Sequence, residues 1–401
     1  MVENKDKKVL NVPHLRFPEF SGEWEKCKFG DIATGFDYGM NAAAKPFDGE
    51  NKYIRITDID EASSTYIDKE IVSPDGTLTD NFVVNDRDIL LARTGASTGK
   101  SYLYRKSDGK LYYAGFLIRA NVTKHNPYFV FSQLHTHRYW SWVSIMSARS
   151  GQPGINSQEY SSFPVFITSL REEDKISALL SLIDKRIATQ NKVIEDLKKL
   201  KSAIIEEHYK QSEKQSVPVA DLGEPFSVSN LSKDDLTDTG TPCVIYGELF
   251  TTYGEIINHV ESYTKRSKGM TLSKKGDLLF PSSTTVDAVS LIAPSNINVD
   301  NVILGGDMFG IHISSNYDAQ YLSYYFNNIA KKQLAKYAKG STIIHLHYKD
   351  IEKANLLLPC LIEQNKIAHN LILLDEKIHN ENAYLQLIVK QKQYMLRHMF
   401  I

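Results

Sequence analysis

The chain repeats itself, and the repeat is clearest in two long amphipathic segments about 190 residues apart. The first segment runs from Glu172 to about Tyr209, and the second from Glu363 to Phe400. Pairs that align at one constant offset include Lys175-Ile176 with Lys366-Ile367 and Ile183-Asp184 with Leu374-Asp375. A duplicated chain folds as two copies of one unit, so we expect two similar half-sites on its target, or two copies of a partner.

Weaker matches extend the repeat through the sequence that precedes each segment. They align Asp31–Phe36 with Asp221–Phe226, Ile54–Ile59 with Val244–Leu249, and Asp88–Leu91 with Asp277–Phe280. The repeat predicts a first domain with an N-terminal arm (1–170), a central helical spacer (171–215), a second domain (216–360) and a C-terminal helical spacer (361–401). The predicted fold class is α+β, with two similar mixed α/β domains separated by two long helices that form an antiparallel coiled coil with a pseudo-twofold internal repeat.

Short apolar runs between turn residues predict strands in both domains. The predicted strands are 52–57, 88–93, 101–105, 116–122, 243–247, 277–281, 289–293 and 308–314. Apolar residues at helical spacing predict helices over 127–146 and 318–338. The order of the strands does not follow from these patterns.

The two long segments have the alternating spacing of four and three residues that a coiled-coil seam requires. Polar residues interrupt both seams at equivalent positions, Gln190 with Glu381 and Lys201 with Lys392. One antiparallel register sets Lys201 against Glu381 and also Gln190 against Lys392. These residues would then fix the register, or else reach water at the helix edge.

Antiparallel pairing predicts a rod of roughly 60 Å, because each helix has about 40 residues that rise 1.5 Å each. Similar domains would stand at its opposite ends, with both chain termini near the first domain. B-DNA offers two-fold-related half-sites that a two-fold protein reads at a fixed spacing. Because the two domains differ in sequence, the predicted target is a split and asymmetric DNA site.

Composition limits the classes of protein to consider. The chain has 401 residues, 42% hydrophobic and 24% charged, with a net charge of −1, so any nucleic acid would bind local basic surface. Its three scattered cysteines argue against a disulfide framework and against a cysteine-rich zinc site. The sequence has no secretory apolar region and no apolar run of membrane-spanning length, so we expect a cytoplasmic protein.

Four polar loops are the candidate DNA contacts, because their side chains suit phosphates and base edges. The first pair follows equivalent predicted strands, with Arg93, Thr94, Ser97, Thr98 and Lys100 in one copy and Ser282, Ser283 and Thr284 in the other. The second pair precedes the helical segments, with Arg149, Gln152 and Asn156 in one copy and Lys339, Ser341, Thr342 and His345 in the other. A solvated surface turn is the alternative interpretation for each loop.

Two motifs suggest an enzyme instead. The loop Gly95–Ser101 resembles a phosphate-binding P-loop, but it is one residue short and precedes a predicted strand rather than a helix. The run Asn126–Phe129 is similar to the catalytic tetrapeptide of adenine methyltransferases but lacks its second proline, and a turn that starts a helix explains it more simply. The pairs His135/His137 and His345/His347 have no companion ligands that would complete a metal site.

Several stretches resemble type I restriction-modification specificity subunits. They are the opening run Val12–Trp24, the run Asp88–Gly95, and the helix start Leu170–Ile176. The later run Leu357–Ile367 is the closer match to the family's helix entry, P-x-L-x-E-Q-x-x-I. The first copy has Thr168 in place of Pro359 and Glu173 in place of Gln364.

This resemblance covers nearly the whole chain and implies two target-recognition domains separated by two helical regions. It implies binding to double-stranded DNA, to two methyltransferase subunits through the helical regions, and indirectly to restriction subunits. It also implies that the chain is not catalytic and holds no cofactor, with S-adenosylmethionine and ATP expected on the partner subunits. A nucleotide-binding enzyme and a coiled-coil scaffold without DNA binding are the competing hypotheses.

Overall fold

The computed structural model describes residues 10–148 and 153–401. The chain divides into two compact units, of which the first comprises Met1–Asn191 with Ala383–Ile401 and the second comprises Lys192–Asn382. Each unit therefore contains one globular domain together with a part of each long helix. No helix in the described residues is long and apolar enough to cross a membrane.

The first unit is mixed α/β. Its strands are β1 (Glu25–Lys28), β2 (Ala33–Tyr38), β3 (Ala43–Pro46), β4 (Lys52–Ile54), β5 (Val72–Asp75), β6 (Asp88–Ala92), β7 (Ser101–Leu103), β8 (Leu111–Tyr113), β9 (Leu117–Val122) and β10 (Pro164–Ile167). Its helices are α1 (Phe29–Ile32), α2 (Pro127–Gln133), α3 (His137–Ser147), α4 (Ser157–Ser161) and the start of α5 (Leu170–Gln211).

The second unit follows the same plan. Its strands are β11 (Gln215–Pro218), β12 (Gly223–Ser227), β13 (Leu236–Thr237), β14 (Thr241–Ile245), β15 (Ile256–Ile257), β16 (Ser262–Thr264), β17 (Thr271–Leu272), β18 (Asp277–Pro281), β19 (Ser283–Thr284), β20 (Ser295–Ile297), β21 (Ile303–Gly305), β22 (Met308–Ile313), β23 (Ile344–His345) and β24 (Asn355–Leu358). Its helices are α6 (Glu248–Thr251), α7 (Ala288–Leu291), α8 (Ala319–Asn328), α9 (Lys331–Leu334), α10 (Tyr348–Ile351) and the start of α11 (Leu361–His398).

Strand pairing confirms that the two domains are copies of one fold. The order β2-β9-β6-β7 in the first unit corresponds to β12-β22-β18-β20 in the second. The parallel pair β4–β8 has its equivalent in the parallel pair β14–β21. In the same way, β1–β10 corresponds to β11–β24, which joins the start of each domain to the strand before its long helix.

The predicted long helices are confirmed, and they pair antiparallel within each unit. In the first unit, Asp184 of α5 forms an ion pair with Lys392 of α11 at 2.7 Å, and the Arg186 guanidinium lies over the Tyr384 ring. The partner number falls as the α5 number rises, which is the antiparallel sense. In the second unit, Lys201 of α5 contacts Asp375 of α11 at 2.7 Å.

The predicted register is wrong. Lys201 faces Asp375, six positions before the expected Glu381, and Lys392 faces Asp184, six positions before the expected Gln190. Glu381 instead pairs with Lys377 one turn away on its own helix. The ion pairs that form are equivalent in the two copies, because Asp184 and Asp375, like Lys201 and Lys392, align in the repeat.

A tyrosine from each globular domain completes these ion pairs. The Tyr128 hydroxyl donates to Asp184 in the first unit, and the Tyr324 hydroxyl donates to Asp375 at 2.6 Å in the second. Each aspartate thus joins its own domain to the opposite long helix. Burial, together with the aspartate charge, raises the pKa of both tyrosines far above the ordinary value, so both stay protonated donors.

The predicted strand 289–293 is also wrong, because residues 288–291 form the short helix α7. The Asp287 carboxylate accepts hydrogen bonds from the backbone N–H groups of Val289 and Ser290, which is a typical helix N-cap. The predicted helix 127–146 is interrupted between α2 and α3, where Thr136 caps the second helix. The predicted helix 318–338 ends as the two short helices α8 and α9 and a final 3₁₀ turn.

Candidate nucleic-acid interface

The first polar loop leaves the buried strand β6 and is held from beneath by tyrosines. The Tyr139 hydroxyl donates to the Gly99 carbonyl at 2.8 Å, and the Tyr160 hydroxyl accepts from the Gly99 N–H at 3.1 Å. Gly99 has a positive φ of 94°, and an added Cβ would lie 2.8 Å from the Val143 side chain. A glycine is therefore required here, and the loop has a fixed base.

The two polar loops of the first domain meet, which the sequence could not indicate. The Gly95 N–H donates to the Pro153 carbonyl at 3.0 Å, and the Ile155 N–H donates to the Arg93 carbonyl at 2.9 Å. Arg93, Thr94 and Ser97 therefore share one surface with the start of the second loop. Of the second-loop residues, Arg149 and Gln152 lie outside the described residues.

The predicted contacts of this surface have unequal access to a ligand. Thr98 is buried, and its hydroxyl donates to the Gly95 carbonyl at 2.8 Å, so its side chain is bonded within the loop. Asn156 accepts from the Glu159 N–H as the N-cap of α4. Lys100 lies 3.3 Å from Glu61, which is exposed. The remaining residues, Arg93, Thr94 and Ser97, are partly exposed.

Two aromatic residues that the sequence did not single out flank Arg93. The Arg93 guanidinium lies 4.7 Å from the Tyr38 ring centroid, and the Arg93 N–H donates to the Phe116 carbonyl at 3.1 Å. A hydrogen bond with Ser157 lowers the pKa of Tyr38. Stacking on an aromatic face orients the guanidinium. One of its terminal N–H groups donates to the Gly115 carbonyl at 3.4 Å, so the rest of its edge is what could reach a base.

The second domain joins its two loops in the same way. Strand β19 pairs with β23, which sets Ser283 opposite His345, and the Leu346 N–H donates to the Ser282 carbonyl at 2.9 Å. Lys339 exchanges two backbone hydrogen bonds with His345, which closes a hairpin over 339–345. Thus each unit brings the same pair of predicted loops into contact.

The predicted contact residues of the second domain also differ in their exposure to solvent. Ser282 and Ser283 are buried, because the strand pairing that joins the loops covers them, so they are unsuited to base contact. Ser341, Thr342 and His345 are exposed, and Thr284 is partly exposed. The Lys339 ammonium lies 2.5 Å from Asp350, and its hydrogen bond lowers the Asp350 pKa.

The second domain also has a groove beside this surface that the sequence did not reveal. Its lining includes Ser229, Asn230, Lys233, Tyr246 and Asp307. These residues come from three separate segments, and their side chains can donate to or accept from a base edge. The parallel pairing of β14 with β21 brings two of those segments together, and the hydrogen bond from the Gly306 N–H to the Ser229 carbonyl adds the third.

The enzyme hypotheses find no support in the local structure. Residues 95–97 form a 3₁₀ turn and Ser101–Leu103 form β7, so the P-loop-like sequence leads into a strand. Asn126 is the N-cap of α2 with Pro127 at the first turn, which confirms the simpler interpretation of that run. Within residues 10–148 and 153–401, His, Cys, Asp and Glu side chains form no cluster of three that could hold a metal ion.

Comparison with protein families gives one match that covers both domains. The family model described as "Type I restriction modification DNA specificity domain" matches residues 21–199 and again residues 211–391. The type I restriction enzyme MjaVIII specificity subunit of Methanocaldococcus jannaschii is 23% identical over 419 residues, which cover 98% of this chain and 95% of that protein. The putative MjaX specificity subunit of the same organism is 25% identical over 305 residues, covering 70% of this chain and 68% of that protein.

Solved structures share the fold. The type I restriction-modification S subunit from M. genitalium aligns with a TM-score of 0.60 and 14% identity over 97% of this chain and 99% of its own. A chain from a structural study of complex assembly and conformational transition in the type I restriction-modification system aligns with a TM-score of 0.55 and 14% identity, over 94% and 98%.

Proposed function

The chain belongs to the type I restriction modification DNA specificity family, and we propose that its two domains read the unlike halves of a bipartite, asymmetric DNA target. One observation carries this proposal: each unit joins the same pair of loops at the same place in the fold, but with different exposed side chains. A shared backbone arrangement with different exposed side chains suits two domains that recognise two different DNA sequences.

The sequence-predicted contacts that remain accessible divide between the halves. We propose that Arg93, with Thr94, Ser97 and Lys100, serves the first half-site. The exposed set Ser341, Thr342 and His345, with Lys339, serves the second. Because the net charge of the chain is only −1, affinity for DNA would depend on these local cations and fall as salt rises.

We also propose that the long helices bind two methyltransferase subunits, and restriction subunits through them. The support is a repeated apolar position: Leu182 of α5 is 63% exposed, and Leu373, its equivalent on α11, is 51% exposed. Large exposed apolar side chains at equivalent positions suit two copies of one partner. In this proposal the chain is not catalytic, works in the cytoplasm, and leaves S-adenosylmethionine and ATP to its partners.

A domain exchange tests the reading function. Residues 24–170 are replaced by the corresponding domain of another specificity subunit, and methylated bases are mapped in the host genome with each version. We expect one half of the target to change while the other half stays the same. A change in both halves, or in neither, would show that the domains do not read separately.

Simple assays separate the competing hypotheses. The purified chain alone should neither hydrolyse ATP nor bind S-adenosylmethionine, and ATP hydrolysis abolished by Lys100→Ala would favour the nucleotide-binding enzyme. Footprinting of the assembled complex on DNA should show protection at a specific sequence. Protection without sequence preference would favour the scaffold hypothesis.

A further inference from the structure

One tight turn occupies the same place in both domains and presents a different side chain in each. In the first domain, the Gly115 N–H donates to the Met40 carbonyl and the Phe116 carbonyl accepts from the Arg93 N–H. In the second domain, the Gly306 N–H donates to the Ser229 carbonyl and the Asp307 carbonyl accepts from the Ser282 N–H. These matching bonds make Phe116 and Asp307 structural equivalents.

The turn lies beside the joined loops in both units. In the first, Arg93 bonds to Phe116 through one backbone hydrogen bond and to Ile155 of the second loop through another. In the second, Ser282 bonds to Asp307 and to Leu346 in the same manner. Each turn residue is therefore fixed next to the proposed DNA-reading surface by the first residue after β6 or β18.

Phe116 is exposed, although an aromatic side chain of its size is usually buried. Its exposed fraction is 61%, although its neighbour Leu117 is fully buried in β9. The adjacent Arg93 is already stacked on Tyr38, so the Phe116 ring is left available. In the major groove, an exposed apolar group is matched by the 5-methyl group of thymine.

Asp307 is an exposed carboxylate on a surface proposed to approach a polyanion. It forms no hydrogen bond or ion pair through its side chain within residues 10–148 and 153–401, and it borders the groove that holds Asn230 and Lys233. A carboxylate repels phosphate, so it weakens binding unless a donor faces it. The base-edge donor that carboxylates accept from is the N4 amino group of cytosine.

We propose that Phe116 and Asp307 are equivalent specificity-determining residues of the two domains. Phe116 contacts the methyl group of a thymine in the half-site of the first domain, and Asp307 accepts from the amino group of a cytosine in the other half-site. This inference rests on the proposed function and adds to it the identity of one base in each half. It also explains why one fold can read two sequences: a single turn position is exchanged without altering the hydrogen bonds around it.

The test uses the assembled methyltransferase complex with wild-type chain, Phe116→Ala or Asp307→Asn. Genome-wide mapping of methylated bases first gives the wild-type target. Competition binding with substituted oligonucleotides then measures discrimination at each position. We expect Phe116→Ala to lower discrimination for one thymine about 5- to 100-fold, and Asp307→Asn to do the same for one cytosine in the other half.

Uracil provides a second, sharper measurement, because it differs from thymine only in lacking the methyl group. Replacing the identified thymine by uracil should weaken wild-type binding by the same factor as Phe116→Ala, and should not weaken the variant further. Phe47→Ala and Asp238→Asn are the matched controls, since they remove an exposed ring and an exposed carboxylate elsewhere in the same two domains. Neither control should change the target.

The possible failures are distinguishable. A wild-type complex that shows no two-part target would overturn the proposed function itself. A two-part target that stays unchanged in both variants would overturn only the present inference. Binding that weakens equally on every sequence, or equal sensitivity of wild type and Phe116→Ala to uracil, would also overturn it, because the side chains would then supply affinity and not base choice.

Discussion

In both units a buried side chain near the start of the long helix binds backbone groups of its globular domain, but the side chain differs between the units. In the first, buried Glu173 accepts from the Asn126 N–H at 2.9 Å and from the Thr168 N–H at 3.2 Å. In the second, the equivalent Gln364 accepts from the Asp318 N–H at 3.0 Å.

The reason for the difference is the residue two positions before the start of each long helix. Pro359 stands where the first copy has Thr168 and has no N–H to donate, so the Gln364 amide donates to the Pro359 carbonyl instead, at 2.8 Å. A carboxylate can only accept, so Glu173 suits the first unit, where the Thr168 N–H donates. An amide can also donate, so Gln364 suits the second unit, where the Pro359 carbonyl accepts. The two departures of the first copy from the family's helix entry, Thr168 and Glu173, are thus chemically matched to each other. The contact between the long helix and its domain is kept in both units.

The N-terminal arm creates a second difference between the units. Arg16 forms a bidentate ion pair with Glu172, at 2.7 Å for both contacts, and Trp24 and Thr168 also donate to that carboxylate. The Leu15 N–H donates to the His398 carbonyl, which confirms that the described N-terminal residues lie beside the end of the chain. The equivalent Glu363 is partly exposed and forms no such contacts in the described residues.

This difference predicts the largest effect. Glu172→Ala should lower the free energy of unfolding by about 3–5 kcal/mol, because it leaves the mostly buried Arg16 charge without its carboxylate. Glu363→Ala, the matched control, should change it by less than about 0.5 kcal/mol. Urea denaturation of both variants measures this, and similar losses would contradict the asymmetry between the units.

Exchanging the docking residues should give the next largest effect. Gln364→Glu places a carboxylate against the Pro359 carbonyl, and we expect a loss of about 3 kcal/mol in the free energy of unfolding. The double variant Gln364→Glu with Pro359→Thr restores an N–H donor and should recover part of that loss. Urea denaturation would count against the matched-neighbour explanation if the double variant were no more stable than the single one.

Acid should destabilise the first unit through His135. Burial, with the nearby Lys392 charge, lowers the pKa of His135 from 6.5 to about 4, so the folded state prefers the neutral ring. Above pH 6.5 His135 is neutral in both states and does not lower the free energy of unfolding. As the pH falls from 6.5 toward 4, the unfolded state binds a proton that the folded state does not, and the free energy of unfolding drops by about 2 kcal/mol, a loss limited because the ring is partly exposed.

The second unit has Asn327 at the corresponding position, nine residues after the helix N-cap, and asparagine does not titrate. Replacing His135 by glutamine should therefore flatten the pH dependence of the first unit between pH 4 and 6.5. Thermal unfolding measured across this range tests the expectation. An unchanged slope in His135→Gln would assign the acid sensitivity to other groups.

The smallest effect should come from Asp184 and Asp375, the two aspartates that form ion pairs between the long helices. Asp184→Asn removes the carboxylate that pairs with Lys392, whereas after Asp375→Asn the lysine Lys201 retains Glu255 at 3.0 Å. We expect losses of about 1 kcal/mol and about 0.5 kcal/mol in the free energy of unfolding. Equal losses in urea denaturation would mean that Glu255 does not compensate for Asp375.

Much of the candidate site could be predicted from sequence, but only as separate loops. The repeat located both loop pairs because equivalent residues follow equivalent strands, and the helix-start explanation for Asn126 followed from local chemistry. Burial of Thr98, Ser282 and Ser283 was not predictable, because it depends on which distant segment covers each loop. Phe116 and Asp307 were missed for a different reason, because a single exposed residue in a turn has no periodic signal.

By itself, the sequence determined the duplication and the extent of the two long helices, because both are local patterns repeated at a constant offset. Tertiary structure decided the helix register. An apolar seam with regular spacing can pack in several registers that bury similar surface, so hydrophobic spacing alone does not select one. In the register that forms, Asp184 and Asp375 each meet a lysine of the opposite helix and a tyrosine, Tyr128 or Tyr324, that lies far away in sequence on a globular domain.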